Sequence, residues 1–468
     1  MLLGEVMGDG PEVEISHLAH DTREVREGSL FFCVPGFTRD GHDLASEAIA
    51  RGAVALVVER ELGSGVPEVI VSSVREAMAP AAARFHGDPT ARLPIVGITG
   101  TNGKTTTAFL IRGMLEAVGR QTGLLGTVTS WVGGEQRATV RTTPEALELQ
   151  ATFAEMLTGG DQACAMEVSS HALALHRAAA IHWAAAVFTN LTQDHLDFHA
   201  DMDEYFAAKR RLFEAGAGTL VVNVEDPYGT RLAADFPDAV TVGIDADAAV
   251  RAEDLEADAT GTTFVVDGFE HRVVLPGRFN VLNALCAIAA VRALGIDPRA
   301  AAEALGRTGS VPGRFEPVDE GQGFAVVVDY SHTPDSLENA LKAARELASG
   351  RVYCVFGAGG DRDRAKRPLM GAVAAELADV AVVTSDNPRS EDPQAIVDEI
   401  LAGADGHAQA VLDRRLAIAH AVGLAEDGDV VLIAGKGHEQ GQELAGGEKI
   451  PFDDVAVARE VLRGRLVY

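Results

Sequence analysis

Cysteine and long apolar runs are both scarce in this chain. Its 468 residues include four cysteines, which lie far apart and without metal-binding spacing: Cys33, Cys164, Cys286 and Cys354. We expect reduced thiols in the core, as in a cytosolic protein. No apolar run approaches bilayer length, and the N-terminus lacks the basic start and apolar core of a signal peptide. These absences predict a cytoplasmic protein that does not insert into a membrane.

Positive charge is also in short supply. The sequence has 40 lysines and arginines against 69 aspartates and glutamates, which gives a formal net charge of −29 at pH 7. We expect no nucleic acid partner, because a phosphate backbone requires a basic face. An anionic substrate would have to be held by local clusters of positive charge against an unfavourable overall field.

The alternation of short apolar runs with helical patterns predicts an α/β protein of three domains. A chain of this length exceeds one ordinary core, and its 47% hydrophobic and 23% charged residues are typical of a soluble globular protein. We place a small α/β domain at residues 1–92, a central parallel-sheet domain with a phosphate loop at 93–314, and a Rossmann-like domain at 315–468. Short hinges are expected near Arg92 and Gly313, since the sequence shows no repeat, low-complexity segment or long linker.

Short apolar or β-branched runs mark the predicted strands. In the first domain they lie at 29–35 and 53–59, with helices at 45–51 and 74–86. In the central domain they lie at 95–99, 162–168, 184–189, 219–224, 262–266 and 271–275, followed by a helix at about 281–294. In the third domain they lie at 324–329, 351–356, 380–384 and 430–434. Ligands of such parallel sheets gather at the carboxyl ends of the strands.

A glycine-rich loop follows the strand at 95–99 and leads into a helical segment. It comprises Gly100, Thr101, Asn102, Gly103, Lys104, Thr105 and Thr106. Such a loop turns backbone N–H groups around phosphate oxygens, the lysine adds positive charge, and the threonine hydroxyl can bind Mg²⁺. Ile98 replaces the glycine usually found five residues before the Gly-Lys glycine, so this is a variant phosphate loop. The alternative is a glycine-rich turn with a surface lysine.

Polar residues follow two more of the central strands. Glu167 ends one strand and is the natural acidic partner of a Mg²⁺ ion at Thr105. Its carboxylate could instead cap the helix that follows. The segment 190–199, which includes His195, is dense in histidine and aspartate directly after another strand. A capped helix start with surface histidines is the alternative there.

At three further places, composition alone favours solvated surface. Lys209 is followed by two arginines, a pattern that predicts an exposed basic helix face. The stretches around Thr22, Arg23 and His42 read as polar, glycine-bearing turns.

Three polar loops each follow a predicted strand of the third domain, so they should converge on one edge of its sheet. They contain Arg362, Asp386, Asn387, Pro388, Arg389, Gly435 and Glu439. The arginines can hold carboxylates bidentately, while Asp386, Asn387 and Glu439 can accept hydrogen bonds from an ammonium group. Together these loops predict a pocket for a zwitterionic ligand. Ion pairs among the loops themselves are the alternative.

Five separated motifs, in order along nearly the whole chain, resemble those of the Mur ligase family. They are Gly-Thr-Asn-Gly-Lys-Thr-Thr at 100–106, Glu-Val-Ser-Ser-His at 167–171, Thr-Asn-Leu at 189–191 with Asp-His-Leu-Asp at 194–197, Asp-Tyr-Ser-His-Thr-Pro-Asp at 329–335 and Asp-Asn-Pro-Arg at 386–389. The resemblance implies an ATP-dependent amide ligase of peptidoglycan synthesis. ATP would phosphorylate the free D-glutamate carboxylate of UDP-N-acetylmuramoyl-L-alanyl-D-glutamate, and an amine would displace phosphate. The Asp-Asn-Pro-Arg form implies meso-2,6-diaminopimelate as the amine.

The resemblance also implies residue roles. ATP would be bound by the loop 100–106 with Asn280, Arg314 and Asp329, and Mg²⁺ by Thr105, Glu167 and His195. The catalytic residues would be Lys104, Glu167, His195 and Lys209, the last as a carbamylated lysine. The UDP substrate would contact Thr22, Arg23, His42, Thr142, Thr143, Ser169 and Arg177, and the amine would contact Arg362, Asp386, Asn387, Pro388, Arg389, Gly435 and Glu439. The chain departs from the family pattern at Thr22, where serine is usual, and at Leu175, where some members carry glutamine.

Related activities stay open at this point. They are an L-lysine-adding or other Mur-type ligase, including the folylpolyglutamate branch that shares the fold. A nucleotide-gated regulatory protein that hydrolyses ATP without ligation is the alternative from a different class. A monomer is expected.

Overall fold

The computed structural model describes residues 1–36, 39–258 and 261–466. Within these ranges the chain forms two compact units. The first unit comprises residues 1–99, 119–187 and 208–220, and the second comprises 100–118, 188–207 and the residues from 221 onwards.

Helices and strands alternate along the described chain. Before residue 93 they are α1 (Leu3–Met7), β1 (His17–Ala19), β2 (Ser29–Phe32), α2 (Ala45–Ala50), β3 (Ala53–Val58), β4 (Glu68–Ile70) and α3 (Val74–Phe85). From 93 to 314 they are β5 (Ile95–Thr99), α4 (Lys104–Ala117), β6 (Thr122–Leu125), β7 (Ser130–Val132), β8 (Glu135–Arg137), α5 (Ala146–Thr158), β9 (Ala163–Glu167), α6 (Ser170–Ala174), β10 (Trp183–Phe188), α7 (Met202–Glu214), β11 (Thr219–Asn223), α8 (Pro227–Asp235), β12 (Val240–Gly243), β13 (Val250–Arg251), β14 (Glu253–Asp258), β15 (Gly261–Val266), β16 (Phe269–Val273), α9 (Arg278–Ala293) and α10 (Pro298–Leu305). After 314 they are β17 (Glu316–Pro317), β18 (Ala325–Asp329), α11 (Pro334–Leu347), β19 (Val352–Phe356), α12 (Lys366–Leu377), β20 (Val380–Val383), α13 (Pro393–Gly403), β21 (Ala408–Ala410), α14 (Arg414–Leu424), β22 (Val430–Ala434), β23 (Gly441–Glu443), β24 (Lys449–Pro451) and α15 (Asp454–Leu466).

A parallel sheet opens the first unit, with strands β1 to β4 in sequence order. Strand β2 is buried along its whole length and β3 along nearly all of it, as expected when both faces of a sheet are covered. Helix α3 begins where the Ser73 hydroxyl accepts a hydrogen bond from the Glu76 N–H group (3.3 Å). It places Met78 in one apolar core with Leu30 and Phe32.

A second sheet of the first unit contains β10, β5, β9, β6, β7 and β8 in that order. Strands β5, β9 and β6 pair in parallel, whereas β6, β7 and β8 pair antiparallel. Both β5 and β9 are buried throughout, because their residues are small or apolar up to their last positions. The carboxyl end of β9 therefore presents Glu167 from a rigid strand.

The second unit contains the sheet of the last third of the chain, in the order β17-β18-β22-β19-β20-β21. Its neighbours pair in parallel except β17 with β18. Apolar cores cover both faces. The carboxyl ends of β18, β19, β20 and β22 share one edge, and the loops that follow them contain the predicted ligand-binding residues. Elsewhere in this unit, β11, β12 and β13 pair in parallel and β14, β15 and β16 pair antiparallel.

The predicted α/β class and strand positions are confirmed to within a few residues, for example at Ile95–Thr99 and Val430–Ala434. The sequence does not predict several other strands, among them the buried strand β6 and the three-residue strands β7, β8, β23 and β24, because such short segments carry little pattern of their own. All four cysteines are buried free thiols, as expected. Within the described ranges, no helix combines the length and apolar character needed to cross a bilayer.

Candidate active site

The glycine-rich loop has a backbone that only glycine tolerates at two positions. Gly100 has a φ of +153° and Gly103 a φ of +84°. A Cβ atom at Gly100 would overlap the Thr189 hydroxyl, and one at Gly103 would overlap Asn283 Oδ1. The loop therefore packs too closely against its neighbours for any side chain at either glycine.

Lys104 begins helix α4 and folds back over this loop. Its Nζ donates to the carbonyl oxygens of Gly100 (2.9 Å) and Thr101 (2.8 Å). The next residue, Thr105, accepts a hydrogen bond on Oγ1 from Arg314 Nη2 (3.0 Å). A lysine ammonium and an arginine thus lie at the N-terminus of one helix, which is a favourable place for phosphate oxygens.

Asn102 connects the loop to two other parts of the second unit. Its N–H donates to Asn190 Oδ1 (2.8 Å), and its carbonyl accepts from the Thr189 hydroxyl (2.6 Å). Its side-chain Nδ2 donates to Asp335 Oδ2 (2.7 Å) at the start of α11. Burial raises the pKa of Asp335, and the hydrogen bond from Asn102 opposes that shift.

One cavity of about 530 Å³ brings together residues that the sequence predicts to bind ATP. Its lining includes Asn102, Gly103 and Thr106 from the loop together with Asn280, Arg314 and Asp329. Asn280 is buried near the start of α9, where its Nδ2 donates to the Pro276 carbonyl (2.8 Å). The glycine-rich loop, the start of α9 and the end of β18 therefore line one cavity.

Asp329 and Arg314 both line this cavity, but they differ in how completely their polar atoms are hydrogen-bonded within the protein. Asp329 accepts from the Phe315 N–H (2.7 Å) and from the Ser331 hydroxyl, and burial raises its pKa. The Arg314 guanidinium stacks over the Tyr330 ring at 4.6 Å. Its Nε is buried and has no hydrogen-bond partner among the described residues. A buried donor without a partner calls for an explanation, and an acceptor on a bound ligand would supply one.

The segment after β10 carries His195 on a left-handed backbone with a φ of +56°. Its Nε2 lies 3.5 Å from Asp194 Oδ2. Burial disfavours ionisation of Asp194, but the charges of His195, Lys366 and His332 outweigh it and lower the pKa of that carboxyl. The prediction of a capped helix start does not describe this segment, because the nearest helix, α7, begins only at Met202.

In the first unit, Glu167 is buried beside three threonines. Its two carboxylate oxygens accept from the N–H (2.8 Å) and hydroxyl (3.0 Å) of Thr127. Thr127 in turn contacts the Thr142 hydroxyl at 3.0 Å, and the Thr143 hydroxyl donates to the Glu167 carbonyl (2.9 Å). The helix cap at α6 is Ser169, whose Oγ accepts from Ala172 N–H (3.2 Å), so Glu167 does not cap that helix.

Arg177 lies close to this threonine cluster. Its Nη2 is 2.9 Å from Glu145 Oε1, and its Nη1 donates to the Thr143 carbonyl (3.5 Å). Burial lowers the pKa of Arg177. Its Nε is also buried without a partner among the described residues. Thr142, Thr143, Ser169 and Arg177 are therefore brought together, as the prediction of a shared ligand requires.

The expectation of an exposed basic face at Lys209 is wrong, since the residue is 1% exposed. It shares one face of α7 with Tyr205 and Phe213, four residues away on either side, and with Leu212, and all three are buried. That spacing is the sequence signal that indicates burial. An apolar helix face that includes a lysine is unusual, because burying an ammonium group is costly unless it is paired.

The remaining predicted UDP-site residues differ in exposure. Arg23 has 84% of its side chain exposed and pairs with Asp21, which lowers the pKa of that carboxyl to about 2. Thr22 is buried in the same turn. His42 is buried, and both of its ring nitrogens are hydrogen-bonded. Nδ1 lies 2.6 Å from Asp40 Oδ1, and Nε2 accepts from Glu59 N–H (2.9 Å). A direct polar contact from His42 to a ligand would require one of these bonds to break.

In the described part of the chain, no group of three or more His, Cys, Asp or Glu side chains is arranged to hold a metal ion. Mg²⁺ does not require such a cage, because it keeps several waters and takes few protein ligands. The buried carboxylate of Glu167 and the hydroxyl of Thr105 are oxygen donors of the kind that fits Mg²⁺. The metal assignment stays a prediction.

The loops after β20 and β22 form a network of buried charges around Lys436, which is 0% exposed. Its Nζ donates to Asn387 Oδ1 (2.7 Å), Glu439 Oε2 (3.2 Å) and Asp386 Oδ1 (3.4 Å). Asn387 Nδ2 donates to Glu439 Oε2 (2.7 Å). Burial disfavours the charged form of Asp386, but Lys436 and Arg414 outweigh it and lower the pKa. Ion pairs therefore form among these loops, and the amine-binding role of the loops stays a prediction.

The other predicted residues of these loops lie around the same network. Arg389 donates from Nε to Glu443 Oε2 (3.0 Å) and from Nη1 to the Gly360 carbonyl (2.7 Å). Pro388 is buried, and Gly435 lies so close to Asp386 that a Cβ there would overlap its carboxylate. Arg362 is exposed, and its Nη1 donates a hydrogen bond to the Asp361 carbonyl (3.0 Å).

Sequence reasoning missed Lys436, Glu443 and Arg414 in this part of the molecule. Lys436 lies inside the Gly-Lys-Gly-His-Glu run, where its position directly after a buried strand is a usable signal. Glu443 and Arg414 carry no such signal, because their partners Arg389 and Asp454 lie 54 and 40 residues away.

Three family models match consecutive parts of the chain. They are the Mur ligase family catalytic domain at residues 14–86, the Mur ligase middle domain at 98–291, and the Mur ligase glutamate ligase domain at 313–437. These matches confirm the predicted three-domain α/β organisation, while the exact boundaries at 92 and 314 stay predictions.

Two curated proteins and one solved structure are similar over almost the whole length. The chain is 47% identical to the UDP-N-acetylmuramoyl-L-alanyl-D-glutamate–2,6-diaminopimelate ligase of Syntrophomonas wolfei, covering 98% of this chain and 97% of that protein. It is 49% identical to the ligase of the same name from Geobacillus thermodenitrificans, covering 97% and 96%. A solved structure of a ligase with that name matches with a TM-score of 0.72 and 31% identity, covering 100% of this chain and 99% of that one. This chain belongs to the Mur ligase family.

Proposed function

We propose that this chain is an ATP-dependent ligase that joins meso-2,6-diaminopimelate to UDP-N-acetylmuramoyl-L-alanyl-D-glutamate. The 47% and 49% identity to two proteins named for that reaction supports the proposal. The structural observation that carries it is the cavity of about 530 Å³, in which the phosphate loop meets Asn280, Arg314 and Asp329. That arrangement offers positively charged donors for phosphates together with polar partners for a nucleoside.

The proposed reaction has two chemical steps. The γ-phosphoryl group of ATP passes to the free carboxylate of the D-glutamate residue, which yields ADP and an acyl phosphate. The diaminopimelate amine then attacks the acyl carbon, and the tetrahedral intermediate expels inorganic phosphate to leave an amide. Phosphorylation is needed because a carboxylate is a poor electrophile until one oxygen becomes part of a leaving group.

The phosphate loop and its neighbours have the first role in this scheme. The ammonium of Lys104, now on the Gly100 and Thr101 carbonyls, would turn to the ATP phosphates. The buried, partnerless Nε of Arg314 supports its proposed phosphate contact. Asn280 and Asp329 would face the adenine and the ribose.

Magnesium and a modified lysine complete the proposed catalytic set. Thr105, Glu167 and His195 would hold Mg²⁺, which when bound neutralises charge that develops between the reacting anions. Lys209 would react with carbon dioxide to form a carbamate, which replaces a buried cation by an anion. The burial of Lys209 is consistent with this assignment, because a buried lysine side chain needs specific interactions that offset the loss of hydration.

The substrates would be held by the two remaining groups of residues. Thr22, Arg23, His42, Thr142, Thr143, Ser169 and Arg177 would bind the UDP-linked dipeptide, and the orphaned Nε of Arg177 supports its part. Asp386, Asn387 and Glu439 would accept hydrogen bonds from an ammonium group of the amine, and Pro388 and Gly435 belong to the same loops. Arg389 and Arg362 would bind the carboxylates. We also propose that the protein acts in the cytoplasm as a monomer.

The amine preference tests this function. Phosphate release is measured with ATP, Mg²⁺ and the UDP-linked dipeptide, with either meso-diaminopimelate or L-lysine as amine. We expect release that depends on the amine and strongly favours meso-diaminopimelate. Equal use of lysine would reassign the chain to another Mur-type activity and contradict the role of Arg389. ATP hydrolysis that ignores the amine would favour a regulatory ATPase.

A further inference from the structure

The hairpin formed by β23 and β24 holds the Asp-Asn-Pro-Arg loop at one residue, Glu443. The Glu443 carbonyl accepts from the Arg389 N–H (3.1 Å), and the Glu443 N–H donates to Asn387 Oδ1 (3.0 Å). Its carboxylate Oε2 accepts from Arg389 Nε (3.0 Å). Backbone and side chain of one residue therefore fix two residues of the loop.

These contacts set both the backbone and the side chain of Arg389. The backbone has a φ of +50°, a left-handed conformation that costs a non-glycine residue roughly 1 kcal/mol or more, so neighbouring contacts must hold it. The guanidinium is held at two of its nitrogens, with Nε on Glu443 and Nη1 on the Gly360 carbonyl (2.7 Å). Both contacts together fix the plane of the guanidinium group.

The held guanidinium keeps the donors that a carboxylate needs. Among the hydrogen bonds of the described residues, none engages Nη2 of Arg389, and Nη1 retains a second N–H. Two parallel N–H groups of this kind bind a carboxylate bidentately. Arg389, Glu443, Asn387 and Glu439 line one pocket of about 430 Å³, whose other wall is the hairpin itself.

We infer that Glu443 is a positioning residue that sets the preference for an amine with a second carboxylate. It acts through Arg389 and does not touch the reacting atoms. The inference rests on the proposed function, in which Arg389 binds the distal carboxylate of diaminopimelate. An amine that lacks this carboxylate gains nothing from an aligned Arg389, so the contribution of Glu443 lies in discrimination between amines.

Steady-state kinetics of Glu443→Ala and Glu443→Gln test the inference on the full chain. Loss of a charge-assisted hydrogen bond predicts that Glu443→Ala raises KM for meso-diaminopimelate about tenfold. We expect kcat and KM for ATP to stay within about twofold, since neither depends on the alignment of Arg389. The KM for lysine should also stay within about twofold; where lysine turnover is too slow, the inhibition constant of lysine is measured in its place. Glu443→Gln keeps an acceptor for Nε, so its KM for meso-diaminopimelate should lie between those of the wild type and the alanine variant.

The matched control is Glu448→Ala on the same hairpin. Among the described contacts, Glu448 bonds only through its backbone, to Leu444.

Each other outcome has a definite meaning. An unchanged or lower KM for meso-diaminopimelate in Glu443→Ala overturns the inference, because Glu443 would then only compete with the ligand for Arg389. Parallel rises in KM for ATP and for both amines also overturn it, since they indicate loss of local structure. A wild-type protein that does not use meso-diaminopimelate overturns the proposed function and the inference together, whereas normal wild-type turnover with an unaffected Glu443→Ala variant overturns the inference alone.

Discussion

Two glycines bracket helix α4 with nearly the same backbone torsion in different surroundings. Gly103 has a φ of +84° before the helix, and Gly119 a φ of +82° after it. A Cβ at Gly119 would meet nothing within 4 Å, whereas one at Gly103 would overlap Asn283 Oδ1. Asn283 is buried and its Nδ2 donates to Asn280 Oδ1 (3.3 Å), so its side chain cannot easily move aside to make room for a Cβ atom at Gly103. Comparing alanine variants at these two glycines therefore separates the free-energy cost of the left-handed torsion from the cost of steric overlap with a neighbour.

Alanine at these two glycines should therefore have different effects. Gly119→Ala should lower the free energy of unfolding by about 1 kcal/mol and leave ATP turnover unchanged, because only torsional strain is added. Gly103→Ala should carry the same strain and also reduce turnover roughly a hundredfold or more, because displacement of the phosphate loop misaligns the reacting groups. Denaturant unfolding and phosphate release measure the two effects. Similar turnover in both variants would remove the close fit of the loop from the mechanism.

Lys209 offers a test of the carbamate at the scale of one side chain. Lys209→Ala should reduce turnover roughly a hundredfold or more, because an anion that positions charge in the site is lost. A small carboxylate such as acetate should restore part of that activity by occupying the space of the carbamate. Lys104→Ala serves as the control, since an added anion cannot replace a lysine cation and no rescue is expected there. Absence of rescue by formate, acetate and propionate would contradict the carbamylated form.

At the scale of elements, a buried ion pair joins the first turns of α14 and α15. Arg414 donates from Nε (2.8 Å) and Nη2 (2.6 Å) to the Asp454 carboxylate, and both side chains are fully buried. Arg414 Nη2 also donates to the Ala434 carbonyl (2.9 Å), directly before Gly435. The pair thus ties the C-terminal helix to the strand end that carries the proposed ammonium site.

Removal of one partner should cost more than removal of both. Asp454→Ala should lower the free energy of unfolding by about 3–5 kcal/mol, because Arg414 is left as an uncompensated buried charge. Arg414→Met combined with Asp454→Leu should recover most of that loss. The exposed pair between Arg415 and Glu460, on the same two helices, is the control, and Glu460→Ala should cost about 1 kcal/mol or less. A double variant less stable than Asp454→Ala would show that the pair itself stabilises the fold.

The elements also show how far the sequence predicts this molecule. Strands such as β5, β19 and β22 follow from continuous apolar runs, since local pattern and burial agree there. The antiparallel pair β7 and β8 and the hairpin β23–β24 do not follow, because their pairing depends on neighbours rather than on their own short polar sequences. The hairpin holds Glu443, so one positioning contact of the proposed amine pocket is invisible without the structure.

Within the candidate site, motifs predict residue types better than they predict contacts. Asn102, Gly103 and Thr106 of the phosphate loop line one cavity with Arg314 and Asp329, while the role of these residues in ATP binding stays a prediction. The bond between Asn102 and Asp335 spans 233 residues, and no local pattern predicts it. Lys209 is predicted as exposed because two arginines follow it, yet the i±4 spacing to Tyr205 and Phe213 places it on the buried face of α7.

At the scale of the whole molecule, a net charge of −29 opposes the approach of substrates that are themselves anions. The local cations, such as Lys104 and Arg314, act over short distances inside the proposed site. The repulsion acts over longer distances and is screened beyond a Debye length of about 10 Å at 0.1 M salt. Salt should therefore weaken the repulsion during encounter more than it weakens the contacts in the site.

This balance predicts an unusual salt response. Between about 10 and 100 mM NaCl, kcat/KM for the UDP-linked dipeptide should rise a few-fold, because screening increases the rate of encounter between like charges. The value of kcat at saturation and the KM for the zwitterionic diaminopimelate should change less, since neither depends on long-range attraction or repulsion. Choline chloride in place of NaCl controls for specific binding of the sodium ion. A kcat/KM that falls as salt is added would show that the local cations, and not the net charge of the chain, govern how the nucleotide-linked substrate approaches.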